Sequence, residues 1–282
     1  MEGCRETGYV DTGNAMRNLL FALLILLIAP PSFAGGGATM MMVGGTAAAG
    51  GTSYADILFY HSFETSGTCT SQASNKPVAS PAACSGTPTR VADPAVETYG
   101  ELINAAFENM YFTVNNGDIA THLVGRAGVY FKQATAWPTN TVSLWKLRYD
   151  ASSNYIRAEI TVATKNIARC IYQAGGGSTI TLSNNTAAGV SAGLDNLALD
   201  TYYFLECAWD KNTPNYKMYI NGIEVATDTS STTGAWAGTP TRLYVGDNEG
   251  NGTPEFTLDQ LIFSNSNTRD INAVKGLTSF PD

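Results

Sequence analysis

Residues 246–260, GDNEGNGTPEFTLDQ, gather Asp247, Glu249, Glu255 and Asp259 into one short stretch of a chain in which only 14% of residues are charged. Oxygen-bearing side chains alternate at Asp247, Glu249 and Asn251, and Gly252 holds the sixth position counted from Asp247. Alternating oxygen ligands with a glycine at the sixth place are the beginning of a calcium loop. The pattern then fails. The twelfth position, which needs a bidentate glutamate, is Leu258, and Asp259 comes one residue late. With no helix pattern on either side, an EF-hand is excluded, and Asp247 is left as a partial metal ligand or as part of a solvated turn.

A second pair of acids lies in Glu206-Cys207-Ala208-Trp209-Asp210. Two carboxylates flanking a glycosidic bond, about 5 Å apart, are what a retaining glycoside hydrolase needs. Four residues of strand set the Cα atoms of Glu206 and Asp210 roughly 13 Å apart. The pair is therefore not read as catalytic, and Glu206 is kept as a ligand-binding candidate. The two histidines, His61 and His122, belong to no nucleophile motif such as Gly-x-Ser-x-Gly. Arg157-Ala158-Glu159-Ile160 and Gly128-Val129-Tyr130-Phe131-Lys132 resemble strands of alginate-lyase jelly rolls, but they occur in reverse order and without a Gln-x-His strand. Chance strand composition accounts for them. Trp236 sits among small residues in Thr233-Gly234-Ala235-Trp236-Ala237-Gly238, where its ring could stack on a sugar or a partner, and Trp137, before Pro138, is a second candidate. Trp145 and Trp209 fall in strand patterns and are assigned to the core.

The elements that must position these residues are short strands. ILFYHSF, AAFENMYFTV, AGVYFKQ, VSLWKLRYD, YIRAEITV, ARCIYQ, STITLS, TYYFLECAWD, YKMYINGIEVAT, RLYVGD and FTLDQLIFSN are rich in β-branched or aromatic residues and are separated by turn formers. Such spacing predicts an all-β, two-sheet antiparallel jelly-roll sandwich. In TYYFLECAWD, alternation puts Tyr203, Leu205, Cys207 and Trp209 on the core face. Asn221-Gly222 can take the positive φ angles of a type I′ turn, which predicts a hairpin there. Residues 268–274 could form a terminal helical turn.

Taken together, these segments resemble the laminin-G-like branch of the concanavalin A-like lectin/glucanase superfamily. The resemblance rests on Tyr202 through Asp210, Met218-Tyr219-Ile220-Asn221-Gly222, Leu243-Tyr244-Val245-Gly246, and Phe256-Thr257-Leu258-Asp259-Gln260-Leu261-Ile262-Phe263. Ile57 through Glu64 is similar to the family's first strand. The chain departs from the family where Tyr202 replaces a tryptophan, Phe204 a histidine and Gln260 a second acid. The resemblance implies a jelly roll that is often calcium-stabilised and binds glycans or proteins at a sheet edge or concave face. It also implies that Asp259, at the family's Ile-Asp position, pairs with Glu64 in holding Ca2+, with Asp247 as a further contributor.

The compartment is read from the N-terminus. Residues 16–34, MRNLLFALLILLIAPPSFA, have the basic start, short apolar core and small-x-small end of a secretory signal peptide. Residues 1–15 fit no targeting pattern, which leaves Met1 and Met16 both open as the start. Residues 35–53 are a Gly/Ala/Met-rich flexible spacer, and residues 54–282 are the jelly-roll domain. Beyond the signal core lie four cysteines, Cys69, Cys84, Cys170 and Cys207, an even number that suggests disulfides in an exported chain. Three pairings are possible. Proximity favours Cys69–Cys84, and the strand patterns around the other two favour Cys170–Cys207. A net charge of −8 with no basic cluster in the sequence argues against nucleic acid. The expectation is a secreted or cell-surface, non-catalytic module that binds glycan or an extracellular protein. A structural surface component is the alternative, and a glycan-active enzyme of the same fold is the third reading.

Overall fold

β-branched and aromatic runs broken by turn residues bury themselves by pairing edge to edge and stacking in two layers. The computed structural model has this architecture. It describes residues 56–64, 69, 74, 81–96, 98–113, 124–149, 153–162, 166–174, 178–233, 240–250, 255–268 and 271. The signal sequence, the spacer, His122 and Trp236 lie outside the described residues.

One sheet has eight strands. Its order is β13 (Ile223–Asp228), β12 (Asn215–Ile220), β11 (Tyr203–Asp210), β6 (Val124–Gln133), β15 (Phe256–Ser264), β4 (Gly100–Ile103) and β3 (Thr89–Val91), with β1 (Ile57–His61) also paired to β15. The other has seven, in the order β10 (Thr179–Ser183), β9 (Asn166–Gln173), β8 (Tyr155–Val162), β7 (Val142–Tyr149), β14 (Pro240–Gly246), β5 (Asn109–Thr113) and β2 (Ala83–Ser85). Each described pairing is antiparallel. A single described helix, α1 (Ala187–Ser191), starts at Thr186, whose hydroxyl accepts the amide of Gly189.

The core lies between the sheets. Tyr203, Leu205, Cys207 and Trp209 join it as alternation predicts, together with Trp145. Gly125 faces Trp209 across the β6–β11 pair, and a Cβ there would lie 2.4 Å from the indole, so only glycine admits the ring. The Cys170–Cys207 disulfide ties β9 of one sheet to β11 of the other, and Cys69–Cys84 ties an upstream segment to β2. Both pairings agree with the sequence reading. Closing a loop with a sequence separation of 37 restricts the unfolded chain enough to stabilise the fold by about 4 kcal/mol in the chain-entropy model.

The Asn221-Gly222 hairpin is present, with φ of 52° and 80° at its two turn residues. Sequence reading passed over β2, β3, β4 and α1, which have three to five residues each and too little periodicity to stand out. It also left the second face of β11 unassigned. That face is buried: Phe204 packs with Ile57, Tyr60, Ile262 and Ile271 in a satellite cluster on the outside of the eight-stranded sheet.

Candidate functional site

Asp247 and Asp259, near the two ends of the acidic stretch, both anchor backbone. Asp247 follows β14 and is fully buried. Its Oδ2 accepts the amides of Phe107 (3.4 Å) and Gly250 (3.2 Å), and its Oδ1 accepts that of Glu249 (3.2 Å). Burial pushes its carboxyl above the usual aspartate range, against the pull of these N–H donors. Its own amide donates to the carbonyl of Glu108 at 2.9 Å. The approach requires Gly246, which has φ of 99° and would place a Cβ 2.7 Å from that carbonyl. Glu108 repeats the arrangement, its carboxylate accepting the amides of Thr87, Asn104 and Ala105 at 2.6–3.0 Å. The solvated turn expected at Asp247 is thus a buried anchor at its first residue.

Asp259 and Glu64 both hold the connection between β3 and β4, Asp259 at its middle and Glu64 at its far end. Asp259 Oδ2 accepts the amides of Ala95 (3.0 Å) and Val96 (2.8 Å). Glu64 Oε1 accepts those of Thr98 (2.8 Å) and Tyr99 (2.7 Å). Calcium needs six to eight converging oxygens. Here Asp259 Oδ2 and Glu64 Oε1 face N–H donors, and among the described residues no group of three or more His, Cys, Asp or Glu stands together to hold a metal ion. As placed, Glu64, Asp259 and Asp247 do not fit a calcium site.

Glu206 is fully buried and ion-paired to Arg126, with Nη2 at 2.6 Å and Nε at 2.8 Å from its Oε2. The guanidinium lies 4.2 Å over the Tyr219 ring and lines a cleft of about 300 Å³ with Lys217, Asn215 and Thr268. Glu206 therefore meets a ligand only through Arg126. Asp210 caps the following turn, its Oδ1 accepting the amides of Asn212 and Thr213. Neither acid is poised for glycosidic cleavage. Trp137 is half-buried and packs against the core. His61 is buried, stacked on Phe63 at 4.3 Å, with Nδ1 accepting the Phe63 amide. The two segments similar to alginate-lyase strands fall on different sheets, β8 and β6, and share no site.

The outer face of the seven-stranded sheet was not anticipated. Residues alternating with the core positions line up across the strands. Tyr111, Tyr244, Lys146 and Arg157 are successive cross-strand neighbours on β5, β14, β7 and β8. A second row runs Arg242, Arg148, Tyr155. Glu159 and Arg169 face each other on β8 and β9. Arg242 is exposed and the other tyrosines and cations of these rows are half-buried.

Rings and cations interleave on this face. Tyr111 and Tyr244 lie 5.6 Å apart, Arg242 sits 4.9 Å over Tyr111, and Lys146 and Arg157 sit 4.5 and 5.0 Å from the Tyr155 ring. Glu249 bridges Lys146 (2.7 Å) and Arg157 (3.0 Å), and Glu159 lies between Arg157 and Arg169. The face thus holds five of the 16 cations in the chain and two carboxylates, which pair with three of them, Lys146, Arg157 and Arg169. The field is visible in Tyr244: burial would raise its pKa, yet hydrogen bonds from Arg242 and Arg148 and their charges bring it below the usual tyrosine range. At the sandwich edge, an open groove of about 650 Å³ between β10, α1 and β13 is lined by Thr181, Ser183, Thr186, Thr227 and Asp228.

No family model and no curated protein matches the chain by sequence. Solved structures do match. The receptor-binding domain of the botulinum neurotoxin C/D mosaic serotype is similar with a TM-score of 0.58 at 10% identity, over 78% of this chain and 50% of that one. The likeness is one of fold. A botulinum neurotoxin type C structure, titled as showing that cell entry depends on interaction with two ganglioside molecules, matches with 0.56 at 10% identity over 78% and 50% of the two chains. The serotype D ligand-binding domain in complex with N-acetylneuraminic acid matches with 0.51 at 12%, again over 78% and 50%. This chain spans about half the length of the structures it matches. They are β-sandwich domains, as the two sheets here are.

Two outcomes follow. Because N–H donors already hold Glu64, Asp259 and Asp247, adding calcium or a chelator is expected to leave the melting temperature of the protein unchanged. A calcium-dependent rise contradicts this, since a ligand bound only by the folded state must stabilise it. Glu249 is a test by pH. Burial raises its pKa, but the Lys146 hydrogen bond and the charges of Lys146 and Arg157 outweigh that and hold it below 4.5. A depressed carboxylate contributes stability above its unfolded pKa and loses it as pH falls through the folded value. Glu249→Gln should lower the unfolding free energy at pH 7 by less than about 1 kcal/mol, given partial exposure. The deficit should shrink as pH falls below the usual glutamate range and the carboxylate takes up its proton; a deficit that does not change with pH contradicts the pairing.

Proposed function

We propose that the chain is a secreted carbohydrate-binding module of laminin-G-like architecture, binding through the outer face of its seven-stranded sheet. The observation that carries this is the three-tyrosine surface of Tyr111, Tyr244 and Tyr155 on paired, rigid strands. Aromatic rings offer flat apolar area with a polar tip, and cations and carboxylates between them supply hydrogen bonds in fixed directions. Sugar rings, with apolar faces and hydroxyl rims, match that combination.

The botulinum domains whose titles name gangliosides and N-acetylneuraminic acid support glycan recognition as a use of this fold. Fold alone does not carry function, so the reading stands on the face itself. Two disulfides fit an oxidising, extracellular compartment. Among the described residues no helix is long and apolar enough to cross a membrane. The alternative of a structural surface component has no comparable surface among the described residues. Glu206 and Asp210 are engaged elsewhere and do not form the acid pair that a retaining hydrolase needs.

A polysaccharide panel on the full chain is expected to find at least one ligand. The double variant Tyr111→Ala, Tyr244→Ala should bind that ligand at least about tenfold more weakly, the loss expected for two stacking rings. Its melting temperature should stay close to that of the parent, because both rings lie outside the core. Unchanged affinity in the folded double variant overturns the site.

A further inference from the structure

We infer that the ligand of this face is an anionic glycan, one whose sugar units carry carboxylate or sulfate groups. The inference rests on the carbohydrate-binding reading above and adds its charge. The five cations come from four strands: Lys146 and Arg148 on β7, Arg157 on β8 and Arg169 on β9, which follow one another in the chain, and Arg242 on β14, some seventy residues further on. The sheet order places β14 beside β7 and so adds Arg242 to the other four. The chain as a whole is acidic, with a net charge of −8, so a basic face is a local departure that selection for solubility does not require.

The arrangement of the cations matters as much as their number. Arg242 and Arg148 are cross-strand neighbours, and both hydrogen-bond the Tyr244 hydroxyl. Two planar guanidiniums beside a ring form a fork suited to a carboxylate or sulfate oxygen pair, with the ring under the sugar. From β5 to β9 the face crosses four strand intervals, about 19 Å. That is room for several sugar units in a row. Two carboxylates, Glu159 and Glu249, stand among the cations and break the continuous positive field that a polyphosphate backbone favours. The occupant that fits is a chain of rings with spaced negative charges.

The test is binding of the full chain to three matched probes by calorimetry or biolayer interferometry: a polyuronate, a sulfated dextran and neutral dextran. At least one anionic probe should bind roughly tenfold or more tightly than the neutral one, with affinity falling as salt rises from low to about 0.5 M. The polyuronate and sulfated arms distinguish carboxylate from sulfate as the recognised group. Arg242→Gln, at an exposed position, should weaken anionic binding roughly tenfold, while Lys217→Gln on the other sheet should leave it unchanged.

Equal binding of neutral and anionic glycans, still lost in the Tyr111→Ala, Tyr244→Ala variant, overturns the anionic inference and leaves the carbohydrate site standing. Binding to no glycan at all overturns both. Single-stranded DNA bound as tightly as the best glycan reduces the face to a general polyanion surface and overturns the inference as well.

Discussion

The bond from the Asp259 carboxylate to the amides of Ala95 and Val96 is the contact on which the arrangement of the eight-stranded sheet depends. Asp259 sits where β15 changes partner. On one edge, β4 pairs with residues 256–258 and β1 with residues 261–264. On the other edge, the register with β6 shifts between Asp259 and Ile262, and Gln260 takes a φ of 52°. A bulge leaves backbone groups unpaired and re-aims side chains. Here it turns Asp259 outward onto the β3–β4 connection, whose far end is held by Glu64. Lys132, ion-paired with Asp93 at 2.6 Å, fastens the start of the same connection. Much of the outside of this sheet is thereby covered by chain and by the Phe204–Ile271 cluster, with the Arg126 cleft left open beside it.

Covering one outer face determines what the other can do. The seven-stranded sheet keeps a polar outer surface of tyrosines, arginines and a lysine on rigid strands. Antiparallel sheets commonly bury one face and solvate the other. What distinguishes this surface is its order: rings and cations share two cross-strand rows in register, and each carboxylate within it is shared by two cations. A surface held in place by its own ion pairs meets a ligand with little side-chain entropy left to lose, which favours binding. The buried carboxylates at the loops and the exposed or half-buried cations on the face thus divide the few charges of the chain between holding the fold and presenting a site.

Much of the fold was legible in the sequence because it resides in strong local patterns. Eleven strand-like segments, the Asn221-Gly222 turn and the core face of β11 follow from alternation and turn chemistry, and both disulfides follow from spacing and strand context. The site was not legible. Lys146, Arg148, Arg157 and Arg169 lie on three consecutive strands of a net-acidic chain, interspersed with core residues, and Arg242 joins them only because β14 pairs with β7. Conversely, the acidic cluster at residues 247–259 looked like chemistry because charge density in sequence was read as charge density in space. Folding separates Asp247 from Asp259 and gives each to a different loop. One signal was present and could have been followed: in β7, β8 and β14, Lys146, Arg148, Arg157 and Arg242 alternate with apolar core residues, so each must share the solvent face of its strand.

The most direct measurement is amide chemical-shift mapping of the isotopically labelled full chain titrated with an acidic oligosaccharide. Shifts concentrated on β14, β7 and β8, with Tyr244, Lys146 and Arg157 among the largest and residues of β11 and β12 unmoved, are what the account expects. Shifts concentrated instead on the β10–β13 edge groove or on the Arg126 cleft would contradict it.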